Sequence, residues 1–295
     1  MKKKVIYALG FFDGVHLGHQ ALIKACRELA DSLGCQAGVV TFSSHPDGLV
    51  FGKAPQLINT ASDRQKLLRS FGAECVIELP FDEKMMHMPW QDFYRLLTQQ
   101  YQAAGFVCGE DFRFGDRGEG NAALLQKLAE EENLPCRIIP VQKLGQTTVS
   151  STHIRSLLEA GEMAAAVRFL GHPHMLTGVV EQGKQLGRTI GIPTANLSLP
   201  EGVIQPKCGV YACKATIEGK EYLAVTNVGN RPTVAGENLT VESWILDFAG
   251  DLYGKEITLS FCDFIREEQK FPDLQTLQAQ IQEDSRKVRK IFEKK

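Results

Sequence analysis

Along the first half of the chain, short apolar runs alternate with stretches in which apolar residues recur every three or four positions. VIYAL (5–9) reads as a strand, followed by a helix from about His19 to Leu33 with Leu22, Ala25, Cys26 and Leu29 at helical spacing. AGVVTF (37–42), ECVIEL (74–79), FVCG (106–109) and CRIIPV (136–141) read as further strands. Between them the spacing predicts helices from about Ser62 to Phe71, from Pro89 to about Tyr101, and over NAALLQKLAEEEN. Strands alternating with helices predict a parallel sheet covered on both faces, whose ligands bind beyond the carboxyl ends of the strands. Two short helical patterns follow, SSTHIRSLLEAG and EMAAAVRFLG, each stopped by a glycine. They read as a helical bridge beginning at about residue 150.

The pattern changes from about residue 172. MLTGVVEQG, GVYACKATIEG, KEYLAVTNVG, TVESWILDF and EITLSFCDFI are rich in Val, Ile, Thr and aromatics and are separated by glycines and polar turns. This predicts an antiparallel sandwich or small barrel. A last helix starts at about Asp273, with Leu274, Leu277, Ile281, Val288 and Ile291 as an apolar stripe that packs on the sheet. Two domains result, 1–171 including the bridge and 172–295, as expected for 295 residues.

Composition narrows the partners. A formal net charge of −2 argues against a non-specific nucleic-acid binder, which needs many cations against phosphate. The apolar run after MKKK spans only Val5 to Leu9 and stops at Gly10, too short for a signal peptide. No stretch approaches the roughly 20 apolar residues of a membrane helix. Eight cysteines include no pair at metal-knuckle or redox spacing, and most lie in apolar runs, as expected of small buried residues in a reducing compartment. The expectation is a cytoplasmic protein with no nucleic-acid and no membrane partner.

Chemistry-bearing residues gather where the sheet would place a site. GFFDGVHLGHQ (10–20) joins the first strand to the first helix. Gly10, Gly14 and Gly18 let backbone approach a ligand, and His16 and His19 share one face at a helix start, where anions are favoured. TFSSHP (41–46), GEDFRFG (109–115) and SSTHIR (150–155) fall on the expected loops. Ser150, Ser151 and Thr152 also suit a helix cap, Asp111 and Arg113 a surface ion pair, and the planar fork of Arg155 a pyrophosphate. In the second half, GRTIGIPTANL (187–197) combines Gly187 and Gly191 with Thr194 and Asn196, two oxygens on one face of an extended segment that suit Mg²⁺ beside nucleotide phosphates. In VESWILDF (241–248), alternation sends Glu242 and Trp244 to one face and Val241 and Ser243 to the other. Arg266 and Glu267 admit a surface ion pair.

Taken in order, GFFDGVHLGH, TFSSHP, GEDFRFG and SSTHIR resemble the adenylyltransferase half of bacterial bifunctional riboflavin kinase/FAD synthetases, and GRTIGIPTANL resembles the riboflavin kinase signature. The resemblance spans about residues 5 to 292. It implies a Rossmann-like nucleotidyltransferase domain followed by a small antiparallel β-barrel with a terminal helix. It implies small-molecule partners: ATP as co-substrate in both halves, Mg²⁺, and riboflavin, FMN and FAD as substrate or product, in a monomer or weak oligomer. ATP and FMN would be held by Gly10, Phe12, Asp13, Gly14, His45, Asp111, Arg113, Ser150, Ser151 and Thr152, with His16, His19 and Arg155 stabilising charge. In the kinase half, Gly187, Arg188, Gly191, Pro193 and Arg266 would hold ATP and flavin. There Thr194 and Asn196 would hold Mg²⁺, and Glu242 would accept the proton of the riboflavin 5′-hydroxyl. Ser44 stands where the family commonly shows proline, the one feature that favours a kinase with an idle first half. An RNA-binding barrel or flavin carrier is disfavoured by the acidic balance and by Glu242.

Overall fold

The computed structural model describes residues 4–183, 187, 191–198, 200–233 and 236–293, with the side chains of 230–239 outside the description. Arg188 therefore lies outside the described residues. The chain divides into two compact units, Met1–Leu57 with Ala61–Ser151, and Ile58–Thr60 with Thr152–Lys295.

The first unit is built on β1 (Val5–Leu9), α1 (Leu17–Leu33), β2 (Gln36–Phe42), α2 (Ala61–Ser70), β3 (Cys75–Leu79), β4 (Ala103–Gly109), α3 (Ala122–Glu131) and β5 (Cys136–Ile139). The five strands form one parallel sheet in the order β3-β2-β1-β4-β5. β1 is the central strand, which is why all five of its residues are apolar and buried. Its chain continues to β2 on one side, while β4 pairs on the other. That reversal makes a crevice beyond the ends of β1 and β4, between the loops that carry GFFDGVHLGH and GEDFRFG. The helix expected from Pro89 to Tyr101 is observed as Trp90–Arg95 continued by a wider π-helical turn over Leu96–Gln100. Two short helices have too few residues to show periodicity in sequence. Pro46–Val50 is capped by the side chain of His45, and Glu83–Met86 by that of Asp82.

In the second unit, α4 (Ser151–Ala160) and α5 (Met163–Leu170) precede β6 (His174–Glu181), β7 (Ala195–Ser198), β8 (Gly209–Ile217), β9 (Lys220–Thr233), β10 (Gly236–Ile245), β11 (Glu256–Arg266) and α6 (Leu274–Glu293). The strands close into an antiparallel barrel in the order β6-β7-β10-β9-β8-β11, so the alternative of a sandwich falls away. β6 closes it by pairing with both β7 and β11. The barrel core, with Leu176, Tyr211, Leu259 and Phe261, is continuous with Ile58 and with Leu157, Leu158, Met163 and Leu170 of the two helices. Among the described residues no helix is long and apolar enough to cross a membrane, and all eight cysteines are free thiols.

The shared core makes a prediction. A fragment 172–295 lacks Leu158, Met163 and Leu170, all wholly buried, and burial of each such side chain stabilises by roughly 1.5–3 kcal/mol. A fragment 152–295 is expected to melt well above 172–295. Equal melting temperatures in calorimetry would show that the helices add nothing to the barrel.

Candidate active sites

The first unit holds a cavity of about 340 Å³ beyond β1 and β4, lined by Gly10, Phe11, His16, His19, Asp111 and Ser151 among others. His16 is the N-cap of α1, and its Nδ1 accepts a hydrogen bond from the backbone N–H of His19 at 3.4 Å. In the neutral ring this leaves the proton on Nε2. Gly18 permits the arrangement, because a Cβ there would lie 3.2 Å from the His16 ring. The two imidazoles stack, centroids 3.6 Å apart. Burial first, then His16 and Arg64, hold the pKa of His19 well below the usual histidine range, so the ring is neutral at pH 7. Its Nδ1 is buried with no hydrogen-bond partner among the described residues.

The loop is braced from several sides. Phe12 takes a left-handed conformation at φ 61° and is wholly buried, with its ring 5.1 Å from that of His19. It stands beside His19 and is not among the residues lining the cavity. Asp13 is 3% exposed, and its carbonyl accepts from Ser151 Oγ at 2.9 Å. Thr41 Oγ1 donates to the Phe11 carbonyl at 2.8 Å. The His45 ring meets Phe11 edge-on at 4.6 Å, and its Nδ1 accepts from the backbone N–H of Asp47. Gly109 leaves room for Asp111 to fold back, since a Cβ there would lie 2.7 Å from Asp111 Oδ1. Ser150 and Ser151 line the cavity, whereas Arg113 is exposed on a short hairpin strand. Thr152 and Arg155 follow Ser151 on α4.

The second unit holds a cavity of about 390 Å³ beside the barrel, lined by Asn196, Asn227, Glu242, Trp244, Arg266 and the α6 residues Leu277 and Ile281, among others. Register explains the polar group. Glu242 on β10 stands directly opposite Asn196 on β7 and directly opposite Asn227 on β9. Three polar side chains thus form a row across three strands, while Val241 and Ser243 are buried on the other face. Asn196 Oδ1 is buried without a hydrogen-bond partner among the described residues. Gly183 is required beside it, because a Cβ would collide with the Asn196 amide. Gly187 accepts from the Ile192 N–H at 2.7 Å, a turn that also leaves no space for a Cβ, and Gly191 sits at φ +72°. Pro193 and Thr194 line a second cavity of about 240 Å³ with Phe248, Asp251 and Tyr253, and Thr194 borders both cavities.

The Glu267 carboxylate pairs with Lys207 at 2.9 Å, while toward Glu267 Arg266 donates only to the backbone carbonyl, at 3.0 Å. Its guanidinium grips both carboxylate oxygens of Asp284 on α6, at 2.8 and 3.2 Å, and Asp284 also accepts from Gln280. The apolar stripe of α6 is consequently divided: Leu274, Leu277 and Ile281 face the cavity, while Val288 packs on Val210, Ala212, Val225 and Leu246. Asn227 and, in the first unit, Arg64 belong to no motif noted in the sequence. Removing one partner of a buried ion pair typically costs about 3–5 kcal/mol. Asp284→Asn is expected to lower the melting temperature and to raise the KM of the second unit's substrate about tenfold. Unchanged values for both would show that the clamp is idle.

The folds and cavities give two candidate ligand sites, one on a parallel α/β sheet and one on a closed barrel. Residues 1–153 match the family model for FAD synthetase and residues 170–292 the model for riboflavin kinase. The bifunctional riboflavin kinase/FMN adenylyltransferase of Listeria monocytogenes is 34% identical over 98% of this chain and 93% of its own. That of Escherichia coli K12 is 36% identical over 97% and 92%, and that of Bacillus subtilis 33% over 98% and 93%. A crystal structure from Streptococcus pneumoniae, described as a macrolide-efflux protein, is 30% identical with a TM-score of 0.87, covering 98% of this chain and 95% of that one. The chain belongs to the bifunctional riboflavin kinase/FMN adenylyltransferase family.

Proposed function

We propose that the chain carries out both steps from riboflavin to FAD, one in each unit. The second unit transfers the γ-phosphoryl of ATP to the riboflavin 5′-hydroxyl, giving FMN and ADP. The first transfers AMP from a second ATP to the FMN phosphate, giving FAD and pyrophosphate. The observation that carries the reading is the row Asn196, Glu242, Asn227 facing a cavity whose other walls include Trp244, Leu277 and Ile281. Apolar and aromatic walls suit a flavin ring, and the row adds a carboxylate to the same cavity.

Phosphoryl transfer demands positioning and charge neutralisation more than covalent chemistry. The nucleophile is an alcohol, so Glu242 has a proton to accept as the new P–O bond forms. The phosphoryl donor must meet the hydroxyl near Thr194 and Asn196. The cavity on the far side of Thr194, with Pro193, Phe248 and Tyr253, is the natural seat of the nucleotide. Thr194 and the unpartnered Asn196 Oδ1 would hold Mg²⁺, which favours neutral oxygens together with phosphates and retained water. When bound, the ion neutralises charge on the phosphates. Gly187 lines the larger cavity, and Gly187 and Gly191 would help to hold ATP and flavin in this reading.

In the first unit the FMN phosphate is already ionised at pH 7, so no strong base is needed. His16 and His19 supply donors to the transferring phosphate at the start of α1, where the helix dipole favours negative charge. Arg155, on α4, would hold the leaving pyrophosphate, as the family resemblance implies. A kinase with an idle first unit is the second reading, and Ser44 is its only motive. Ser44 Oγ lies 3.5 Å from the Phe81 carbonyl, and His45 keeps its contacts with Phe11 and Asp47, which supports an intact loop. Incubation with riboflavin, ATP and Mg²⁺ followed by chromatography decides: FMN and then FAD are expected, and a product that stops at FMN supports the second reading.

A further inference from the structure

Arg64, on α2, is among the largest wholly buried side chains of the protein, with 1% exposure. A buried guanidinium is costly unless it is paired. Here its Nη2 donates to the Phe42 carbonyl at 2.7 Å and to Glu78 Oε1 at 3.0 Å. Its Cζ lies 4.4 Å over the centroid of the Phe11 ring. The other Glu78 oxygen accepts from Gln65 at 2.9 Å. Arg64 Nε and Nη1 find no partner among the described residues, so the fold tolerates a charged group that it satisfies only in part. A hydrophobic side chain of similar volume would fill the same space without that penalty, which makes a purely space-filling role a poor account of an arginine here.

The three partners share one property. Phe11 follows β1, Phe42 ends β2 and Glu78 lies near the end of β3, three adjacent strands of the sheet. Phe11 lines the cavity that holds His16 and His19. Its ring also meets that of His45, edge-on at 4.6 Å. Phe42 is the last residue of β2 before the Ser43–Ser44–His45 turn. Both routes from Arg64, through the Phe11 ring and through the Phe42 carbonyl, therefore end at His45 and the cavity wall.

We propose that Arg64 is a positioning residue for adenylyl transfer, fastening the loop after β1 and the loop after β2 to each other so that Phe11, braced by His45, presents a fixed wall to the bound nucleotide. It acts through these residues, not on the substrate. The guanidinium is also one of the charges that keep His19 neutral, after burial and His16, consistent with its lying close beneath the site. The inference rests on the reading of the first unit as the adenylyltransferase.

The test uses the full chain and two reactions, FAD formation from supplied FMN and FMN formation from riboflavin. Wild type must make FAD from FMN; if it does not, the functional reading fails and the inference falls with it. Given that activity, Arg64→Met is expected to lower kcat/KM for FAD formation on the order of 10- to 100-fold, the scale of a misplaced wall, with riboflavin phosphorylation within twofold of wild type. Arg64→Lys keeps a cation with donors for the Phe42 carbonyl and Glu78, and is expected to recover most of the loss. Phe11→Leu removes the stacked ring while leaving α2 and Glu78 intact, and guards against a failure of Arg64→Met to fold. If positioning runs through Phe11, Phe11→Leu alone lowers FAD formation, and the Arg64→Met/Phe11→Leu pair costs much less than the product of the two single losses. FAD formation unchanged in Arg64→Met, or a normal Phe11→Leu, would overturn the proposal. So would losses that simply multiply while Arg64→Lys is as impaired as Arg64→Met, because a stability role would do that.

Discussion

Glu242→Gln is expected to lower the rate of riboflavin phosphorylation by roughly 100-fold or more, the usual scale for loss of a general base. Glutamine keeps the shape of the side chain and its place opposite Asn196 and Asn227, so the wall of the cavity is preserved. What is lost is the carboxylate that takes the proton of an alcohol whose pKa lies far above 7. The affinities for riboflavin and ATP should change by less than about threefold, because a contact made only in the transition state lowers turnover and not binding. FAD formation from supplied FMN should be untouched, since Glu242 lies in the second unit. A normal kinase rate would reduce Glu242 to a strand carboxylate, and equal loss of both activities would point to misfolding.

His19→Ala is expected to have the opposite profile. FAD formation from FMN should fall on the order of 100-fold or more, the cost of one donor to transition-state charge, and riboflavin phosphorylation should stay near wild type. The ring lines the cavity, stacked on His16 and beside Phe12, so alanine also leaves a gap beside His16. The kinase rate, read on the same sample, reports whether the chain still folds. FAD formation within a factor of about three of wild type would remove His19 from the chemistry.

Much of this arrangement is legible along the chain. The parallel sheet follows from apolar runs separated by helical periods, and the first site from its position at the ends of those runs. Glu242 and Trp244 are assigned to one face by the two-residue period of a strand. The partners that complete each site are harder to read, because nothing local marks them. Asn227 acquires its meaning only from the register that sets it across β10 from Glu242. Asp284 interrupts the apolar stripe of α6 between Ile281 and Val288, and Arg64 sits three and four residues before the buried Leu67 and Leu68. In both cases a charge on an apolar helical face was the available signal of a buried ion pair. The division of the core was not legible either. Helices over 151–170 look like a bridge when read by themselves, and only the packed core ties Ile58, Leu158 and Met163 to the barrel.

The claim that two independent sites act in sequence on one flavin is tested most directly by mixing variants. Glu242→Gln alone, given riboflavin, ATP and Mg²⁺, should make almost no FMN and almost no FAD. His19→Ala alone should convert riboflavin to FMN and stop there. An equimolar mixture should form FAD at a rate approaching that of wild type, because FMN released by one variant is adenylylated by the other. A mixture that accumulates FMN without FAD, while Glu242→Gln alone still converts supplied FMN, would contradict passage of free FMN between independent sites. FAD formed from riboflavin by Glu242→Gln alone would contradict the placement of the kinase in the barrel.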